Sequence, residues 1–166
     1  MLTLSPAPAP TNKLTNGDFE GTGGWTIKTT APGALTYSFD NTAEFHGGLR
    51  SASVAYSAGS AAYQAWYNQP VTLEAGKKYN FSGWTKASTA NPGCSVSYYI
   101  GTATGSQNLK TLAIITSANL RPSWSASSGF YVAASTDAYT FNVRMTCSGA
   151  AARTYYMDDL VLIAEA

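Results

Sequence analysis

The chain has 166 residues, enough for one domain with a full hydrophobic core. Charged residues make up 11% of it and the formal net charge is +1, so no basic excess exists to hold a phosphate backbone, and nucleic acid is excluded as a partner. Apolar runs fall far short of the roughly 20 residues of a membrane helix, so no membrane partner is expected. Aromatic residues reach 13% while Glu, Lys and Leu are scarce, which is typical of a secreted all-β protein.

The first residues differ in composition from the rest of the chain. The segment SPAPAPT, residues 5–11, alternates Pro with Ala and favours extended polyproline II backbone. Residues 1–12 are therefore predicted to be a linker or a disordered terminus, and residues 13–166 a single module.

The module shows no long helical period. Short alternating segments are separated instead by clusters of Gly, Asn, Pro and Ser. The expected strands are 14–20, 24–30, 34–39, 50–56, 61–73, 78–87, 94–101, 109–116, 128–134, 138–147 and 154–163. Residues 74–77 read as a hairpin turn and 91–93 as a second turn. The pattern predicts a two-sheet antiparallel β-sandwich.

Side-chain alternation assigns a face to each residue of a strand. Apolar residues share one face of the strands near 79–86, 94–100 and 139–147. The opposite faces collect aromatic, amide and charged groups: Asn80, Trp84, Lys86, Tyr99, Asn142 and Arg144. Aromatic and hydrogen-bonding groups together are unusual for a solvated surface, and this indicates a binding face.

The two cysteines, Cys94 and Cys147, allow one intramolecular pairing. Both fall on the apolar faces of their strands, so a disulfide inside the sandwich is geometrically feasible. A secreted protein would carry this disulfide, and a cytosolic one would carry two free thiols. The all-β composition favours the disulfide.

Four segments in order resemble the jelly-roll carbohydrate-binding modules related to families 4, 9 and 22. They are LTNGDFEGTGGWTI at 14–27, HGGLRSASV at 46–54, QPVTLEAGKKYNFSGWTKA at 69–87 and TYYMDDLVLI at 154–163. The cysteine pair is similar to a pattern of fungal members, whereas 88–134 matches little. The resemblance implies a monomeric, non-catalytic, extracellular module that binds plant or microbial cell-wall polysaccharide and targets an attached secreted enzyme. The alternative is an adhesion or structural module that contacts a protein or cell-wall partner.

The resemblance also implies a structural calcium ion. Alternation points Asp158 toward the core, where an unpartnered carboxylate would be costly. In the similar modules the corresponding Asp helps hold calcium together with backbone carbonyls, which here match Asp18 and Gly48, and the Glu20 carboxylate lies nearby. Calcium takes six to eight oxygen ligands, backbone carbonyls included. The alternative is that backbone amides alone satisfy Asp158.

Sugar binding is expected on the polar faces, because the CH face of a pyranose packs on aromatic rings. Trp84 and Tyr99 would stack on an uncharged glycan, and Arg144 would bind its hydroxyls on the same platform. Packing of Trp84 beneath a loop is the alternative. The other candidates are two amides, Asn80 and Asn142, and two aromatic residues between which the resemblance does not choose, Tyr63 and Trp66.

The remaining aromatic residues bear on the binding site, and the single histidine bears on catalysis. Alternation places Tyr63 toward the core and Trp66 on the polar face. Trp25 reads as a core residue, and Trp124 as either a groove wall or a structural anchor. His46 is the only histidine, and no nucleophile elbow accompanies it, so a catalytic triad is not expected.

Overall fold

A computed structural model describes residues 10–30, 33, 35–57, 63–90, 93–105, 107–148 and 151–165, with nothing stated for the side chain of Tyr63. Most of the expected 1–12 linker and part of the 91–93 turn lie outside these residues. Within them, the chain forms ten strands and one short 3₁₀ turn, Ser117–Asn119. No helix in this part of the chain has the length and hydrophobicity needed to cross a bilayer.

The strands follow the predicted segments closely, with one exception. They are β1 Thr26–Thr29, β2 Leu35–Asn41, β3 Ser51–Tyr56, β4 Tyr63–Leu73, β5 Lys78–Ala87, β6 Cys94–Thr102, β7 Asn108–Ile115, β8 Ser125–Val132, β9 Asp137–Cys147 and β10 Arg153–Ala164. The predicted strand at 14–20 is wrong. Asn16 and Phe19 have φ angles of 52° and 56°, in the left-handed region, and the segment forms turns and bends instead of extended backbone.

The ten strands form two five-stranded antiparallel sheets. One has the order β1-β4-β9-β6-β7 and is named here the groove sheet. The other has the order β2-β3-β10-β5-β8 and is named the back sheet. This arrangement confirms the predicted two-sheet sandwich of the jelly-roll type.

Aromatic side chains fill the space between the sheets. Trp25 is 7% exposed, with its ring centroid 5.5 Å from that of Phe19 and 6.1 Å from that of Phe141. Its indole N–H donates to the Asn16 carbonyl over 2.9 Å, which satisfies the buried donor. Trp25 is therefore a core residue, as predicted.

The segment 74–77 forms the expected turn but not the expected hairpin. The Lys77 N–H donates to the Glu74 carbonyl over 3.2 Å, and Gly76 supplies a φ of 75°. However, β4 belongs to the groove sheet and β5 to the back sheet. The turn therefore carries the chain from one sheet to the other, and the outer faces of β4 and β5 look in opposite directions.

Cys94 and Cys147 form a disulfide, as predicted. They lie directly opposite each other on β6 and β9, with their Cα atoms 4.0 Å apart. Both are 3% exposed on the inner face of the groove sheet. The bond therefore ties the central strand β9 to its neighbour at one end of the sheet.

Candidate functional site

A groove of about 520 Å³ lies on the outer face of the groove sheet. Its floor comes from the strands β1, β4, β9 and β6, and the loop after β6 forms one side. The lining residues are Lys28, Trp66, Asn68, Pro70, Tyr99, Ala103, Thr104, Gly105, Asn108, Thr140, Asn142 and Arg144. Aromatic surface is thus combined with amides, hydroxyls and cations in one concave site.

Strand register brings the main groove residues into two rows across the sheet. Trp66 of β4 lies opposite Lys28 of β1 on one side and opposite Arg144 of β9 on the other. In the next row, Asn142 lies between Asn68 of β4 and Tyr99 of β6. Directly opposite residues share a face, so the alternation of each strand places the whole set in the groove.

Trp66, Tyr99 and Arg144 form a mutually supported group. The Arg144 Cζ lies 5.5 Å from the centroid of the Tyr99 ring. Burial raises the pKa of the Tyr99 hydroxyl, although the Arg144 charge and a hydrogen bond from Trp66 each lower it. The phenol therefore stays neutral, and the rings and the guanidinium hold one another in place.

A tight turn after β6 forms one side of the groove. The Thr140 hydroxyl donates to the Thr102 and Ala103 carbonyls over 2.7 and 3.1 Å and so fixes the turn to β9. A side chain at Gly101 would lie 2.9 Å from the Gln107 carbonyl and 3.1 Å from Asn142 Nδ2, so glycine is needed for this close approach.

Asn142, like Tyr99 at 4% exposure, lies in the floor of the groove with little exposed surface. It is 3% exposed, and its amide N–H donates to the Thr140 carbonyl over 3.0 Å. The structure places this predicted residue in the floor of the groove, where it supports the neighbouring strand residues.

The predicted platform of Trp84, Tyr99 and Arg144 is wrong. Trp84 lies on β5 of the back sheet, whereas Tyr99 and Arg144 lie on the groove sheet. Asn80 is also on β5 and faces solvent on the back sheet. Alternation assigned each residue correctly to the outer face of its strand, but the crossing at 74–77 puts β5 in the other sheet.

Trp84 packs beneath the loop that precedes β3. The His46 ring stacks on it at 3.9 Å, and the Trp124 ring meets His46 edge-on at 5.8 Å. His46 Nδ1 lies 2.7 Å from a carboxylate oxygen of Asp159. The alternative in which Trp84 packs under a loop is therefore correct, and Trp124 is part of the same packed cluster.

Of the two aromatic candidates on β4, Trp66 is the one seen in the groove. Its neighbours Ala65 and Tyr67 are fully buried, which confirms that Trp66 faces outward. Tyr63 begins β4 opposite Cys147, but its side chain lies outside the described part of the structure.

Sequence reasoning missed several lining residues. Asn68 and Pro70 follow Trp66 at intervals of two, so the alternation of β4 was signal enough to find them. Thr140 precedes the predicted Asn142 by two positions on β9, so the same signal applies to it. Lys28 joins the groove only because β1 pairs with β4. That pairing leaves no local mark in the sequence.

Asp158 is completely buried, as expected, but on the other side of its strand. It lies opposite Trp84, whereas the preceding Met157 lies opposite Thr85 in the core. A bulge between Asp158 and Val161, with Asp159 at a φ of 50°, reverses the alternation. Asp158 therefore faces outward and is covered by the loop that carries His46.

Backbone amides satisfy the Asp158 carboxylate. One oxygen accepts from the N–H groups of His46 and Gly47 over 2.7 and 3.1 Å, and the other accepts from Asp159 over 2.8 Å. Burial raises the pKa of Asp158, as does the nearby Asp159 charge to a lesser degree, and these three hydrogen bonds lower it.

The remaining residues of the expected calcium site meet the same loop. Glu20 Oε1 accepts from the Leu49 and Arg50 N–H groups over 2.6 and 2.8 Å. It lies so close to Gly48 that a Cβ there would be 2.2 Å away. The Asp18 side chain is exposed and accepts from the Glu20 N–H over 3.4 Å.

The carboxylates of Glu20 and Asp158 are oxygen donors of the kind that a hard cation such as calcium takes. Within the described residues, no group of three or more acidic, His or Cys side chains could hold a metal ion by itself. Main-chain carbonyls would have to supply most of the ligands.

Comparison with known proteins gives a family match and a set of related folds. A family model for a carbohydrate binding domain matches residues 11–149. A search of curated proteins found no match. Among solved structures, the chain is similar to a family 61 carbohydrate-binding module in complex with β-1,4-galactotriose, with a TM-score of 0.68 and 17% identity over 93% of this chain and 99% of that one.

Two further solved structures have the same fold. A family 4 module gives a TM-score of 0.62 and 18% identity, over 92% of this chain and 99% of that one. The family 22 xylan-binding domain from Paenibacillus barcinonensis gives 0.61 and 15%, over 96% and 97%. At identities of 15–18%, these structures establish the fold alone. Membership of the family rests on the family model, which spans most of the sequence. The chain belongs to the carbohydrate binding domain family whose model represents modules of families 4 and 9.

Proposed function

We propose that this chain is a non-catalytic module that binds cell-wall polysaccharide in the groove lined by Trp66, Tyr99 and Arg144. The carrying observation is that these three side chains, from three adjacent strands, meet in one concave site. An aromatic face packs against the CH groups of a sugar ring, and the surrounding polar groups bind its hydroxyls. Family membership supports a glycan as the ligand.

The module would serve to keep an attached secreted enzyme close to its polysaccharide. A tethered binding domain raises the effective concentration of its partner domain at a surface without taking part in the chemistry. The disulfide supports an extracellular location, because such bonds persist in oxidising compartments. We expect the module to act as a monomer with modest affinity, since an open groove captures few fully desolvated contacts.

Calcium is proposed as a structural ion at the corner where Glu20 and Asp158 both contact the loop 46–50. Its ligands would be these carboxylates together with main-chain oxygens near Asp18 and Gly48. Its role would be to hold the opening segment, the loop and the β10 bulge together. The corner is formed by the opening segment and the back sheet, so the ion would take no part in sugar binding.

Binding should be tested on soluble glycan arrays and by depletion from solution with insoluble polysaccharides. Binding to at least one polysaccharide, blocked by its own oligosaccharides, is the expected result. A crystal soaked with the best oligosaccharide should show it over Trp66. Retention by no glycan, together with capture by a cell-wall protein, would contradict the proposal and favour the adhesion alternative.

A further inference from the structure

The groove has an unbalanced charge. Lys28 and Arg144 are its only charged lining residues, and no carboxylate is among the described residues that line it. The groove-sheet strands contain a single acidic residue, Asp137, at the start of β9. Arg144 lies seven positions further along β9, a distance of roughly 23 Å.

Neither groove cation has an ion-pair partner within the described part of the chain. Four cations elsewhere on the module do have one, in the pairs Arg50–Asp40, Lys77–Glu74, Lys78–Glu165 and Lys86–Glu44. Arg144 is only partly exposed, and its buried Nε has no hydrogen-bond partner among the described residues. The buried Nε is out of reach of a ligand, so the exposed part of the guanidinium, which lines the groove, is what a ligand would meet.

The position of Arg144 suits a planar anion. Its guanidinium lies over the Tyr99 ring with Cζ 5.5 Å from the centroid, which limits its orientation. A guanidinium held in this way offers two parallel N–H donors, the arrangement that matches a carboxylate. Its register neighbour Trp66 supplies the aromatic face for the sugar that would carry that group.

Lys28 adds a second positive charge to the row of residues that contains Trp66 and Arg144. It lies opposite Trp66 on the side away from Arg144, so the tryptophan stands between the two cations. Two strand spacings, about 10 Å, separate the Cα atoms of Lys28 and Arg144. A sugar stacked on Trp66 therefore has a cation on either side.

We propose that the groove recognises an acidic glycan, a polysaccharide whose uronic acid residues place a carboxylate on Arg144. This inference rests on the proposed function and specifies its ligand class. It changes the sequence-based expectation of an uncharged glycan, because Lys28 joins Arg144 and the described lining residues include no carboxylate to neutralise the pair. Lys28 adds a longer-range attraction that dissolved salt screens.

The test compares each acidic polymer with its own neutral form. Glucuronoxylan, polygalacturonate and alginate are presented beside samples whose carboxyl groups have been reduced to alcohols, and affinity is measured by calorimetry and affinity electrophoresis. We expect at least one acidic polymer to bind, its reduced form to bind about tenfold more weakly, and the difference to shrink at high salt. The comparison uses the unmodified chain, so it does not depend on the folding of any variant.

Variants then assign the effect to the groove. Arg144→Gln should lower affinity for the acidic polymer about tenfold, and Lys28→Gln less. Lys77→Gln removes one positive charge from the 74–77 turn and should leave affinity unchanged. Equal binding of acidic and reduced polymers would overturn the acidic-glycan inference and leave carbohydrate binding standing. Binding to none of these polymers, in a protein that binds a neutral polysaccharide of the glycan array, would also overturn the acidic-glycan inference alone. Binding to no polysaccharide in either experiment would overturn the proposed function itself.

Discussion

The His46 ring lies face to face with the Trp84 indole, with centroids 3.9 Å apart, so a loop of the chain itself occupies the face that a sugar would need. The Trp124 ring packs edge-on against the His46 ring, with the two centroids 5.8 Å apart. Trp84, within one of the segments that resemble the known modules, therefore stabilises a loop, and the aromatic surface of the groove comes from Trp66 and Tyr99 on the other sheet.

Trp84→Ala should lower stability and leave glycan affinity unchanged. Removing the ring takes away the support of the loop 42–49, at a cost of about 1–3 kcal/mol for a half-covered side chain. Trp25→Ala is the matched core variant and should cost roughly 3–5 kcal/mol, because that ring is packed on all sides. Thermal melting and glycan titration of both proteins check this. A large loss of affinity in a folded Trp84→Ala protein would contradict the placement.

Calcium removal should lower the melting temperature if the ion occupies the corner of Glu20 and Asp158, because a ligand bound only to the native state stabilises it. Asp158→Ala should give a similar loss and abolish the effect of EDTA, whereas Asp40→Ala, at an exposed ion pair, should leave that effect intact. Elemental analysis of the purified protein accompanies the melts. If protein that holds calcium has the same melting temperature with and without chelator, calcium has no structural role.

Local pattern was enough to predict most of the sheet structure, because alternation and turn residues act over a few positions. It placed Trp66 outward and the cysteines on inner faces, and the structure agrees on both. The core position of Trp25 followed from the resemblance of the opening segment, and the structure agrees on it as well. Local pattern did not predict which strands share a sheet. That depends on long-range pairing, and the turn 74–77 has the same residues whether it closes a hairpin or crosses the sandwich.

Irregular backbone accounts for the remaining differences. Alternation fails at Asp158 because Asp159 adopts a left-handed conformation and inserts a bulge. The opening segment forms a turn, not a strand, with Asn16 and Phe19 in left-handed conformations. The Gly21 N–H donates to Asn16 Oδ1 over 2.7 Å within this turn, and the Leu160 N–H of β10 donates to the Gly17 carbonyl over 2.8 Å.

Reduction of the Cys94–Cys147 bond should lower the free energy of unfolding by roughly 2–4 kcal/mol, because it releases a constraint spanning 53 residues in the unfolded chain. Denaturant melts with and without dithiothreitol measure the loss. A Cys94→Ser, Cys147→Ser double variant is the control. Its free energy of unfolding should equal that of the reduced protein and should not change when reductant is added. An oxidised protein no more stable than this variant would contradict the expectation.

Stability should fall steeply above pH 10 because two core tyrosines resist ionisation. Burial raises the pKa of both Tyr67 and Tyr98 above the usual 10. A raised pKa in the folded state means that their contribution is fully present below the unfolded value, near 10, and is lost as the pH rises toward the folded value.

Denaturant titrations from pH 8 to pH 11 measure this loss. Tyr98→Phe should make the decline less steep, whereas Tyr156→Phe, at a partly exposed residue of the back sheet, should leave the slope unchanged. Identical slopes for the parent protein and Tyr98→Phe would show that Tyr98 ionises freely in the fold.

The most direct test of the binding site compares Trp66→Ala with Trp84→Ala, in titrations with the first oligosaccharide found to bind. The groove assignment predicts that Trp66→Ala lowers affinity at least about tenfold with little change in melting temperature, because it removes the central aromatic face of the site. It predicts unchanged affinity and a lower melting temperature for Trp84→Ala. The reverse pattern, full affinity without Trp66 and lost affinity in folded protein without Trp84, would contradict the account.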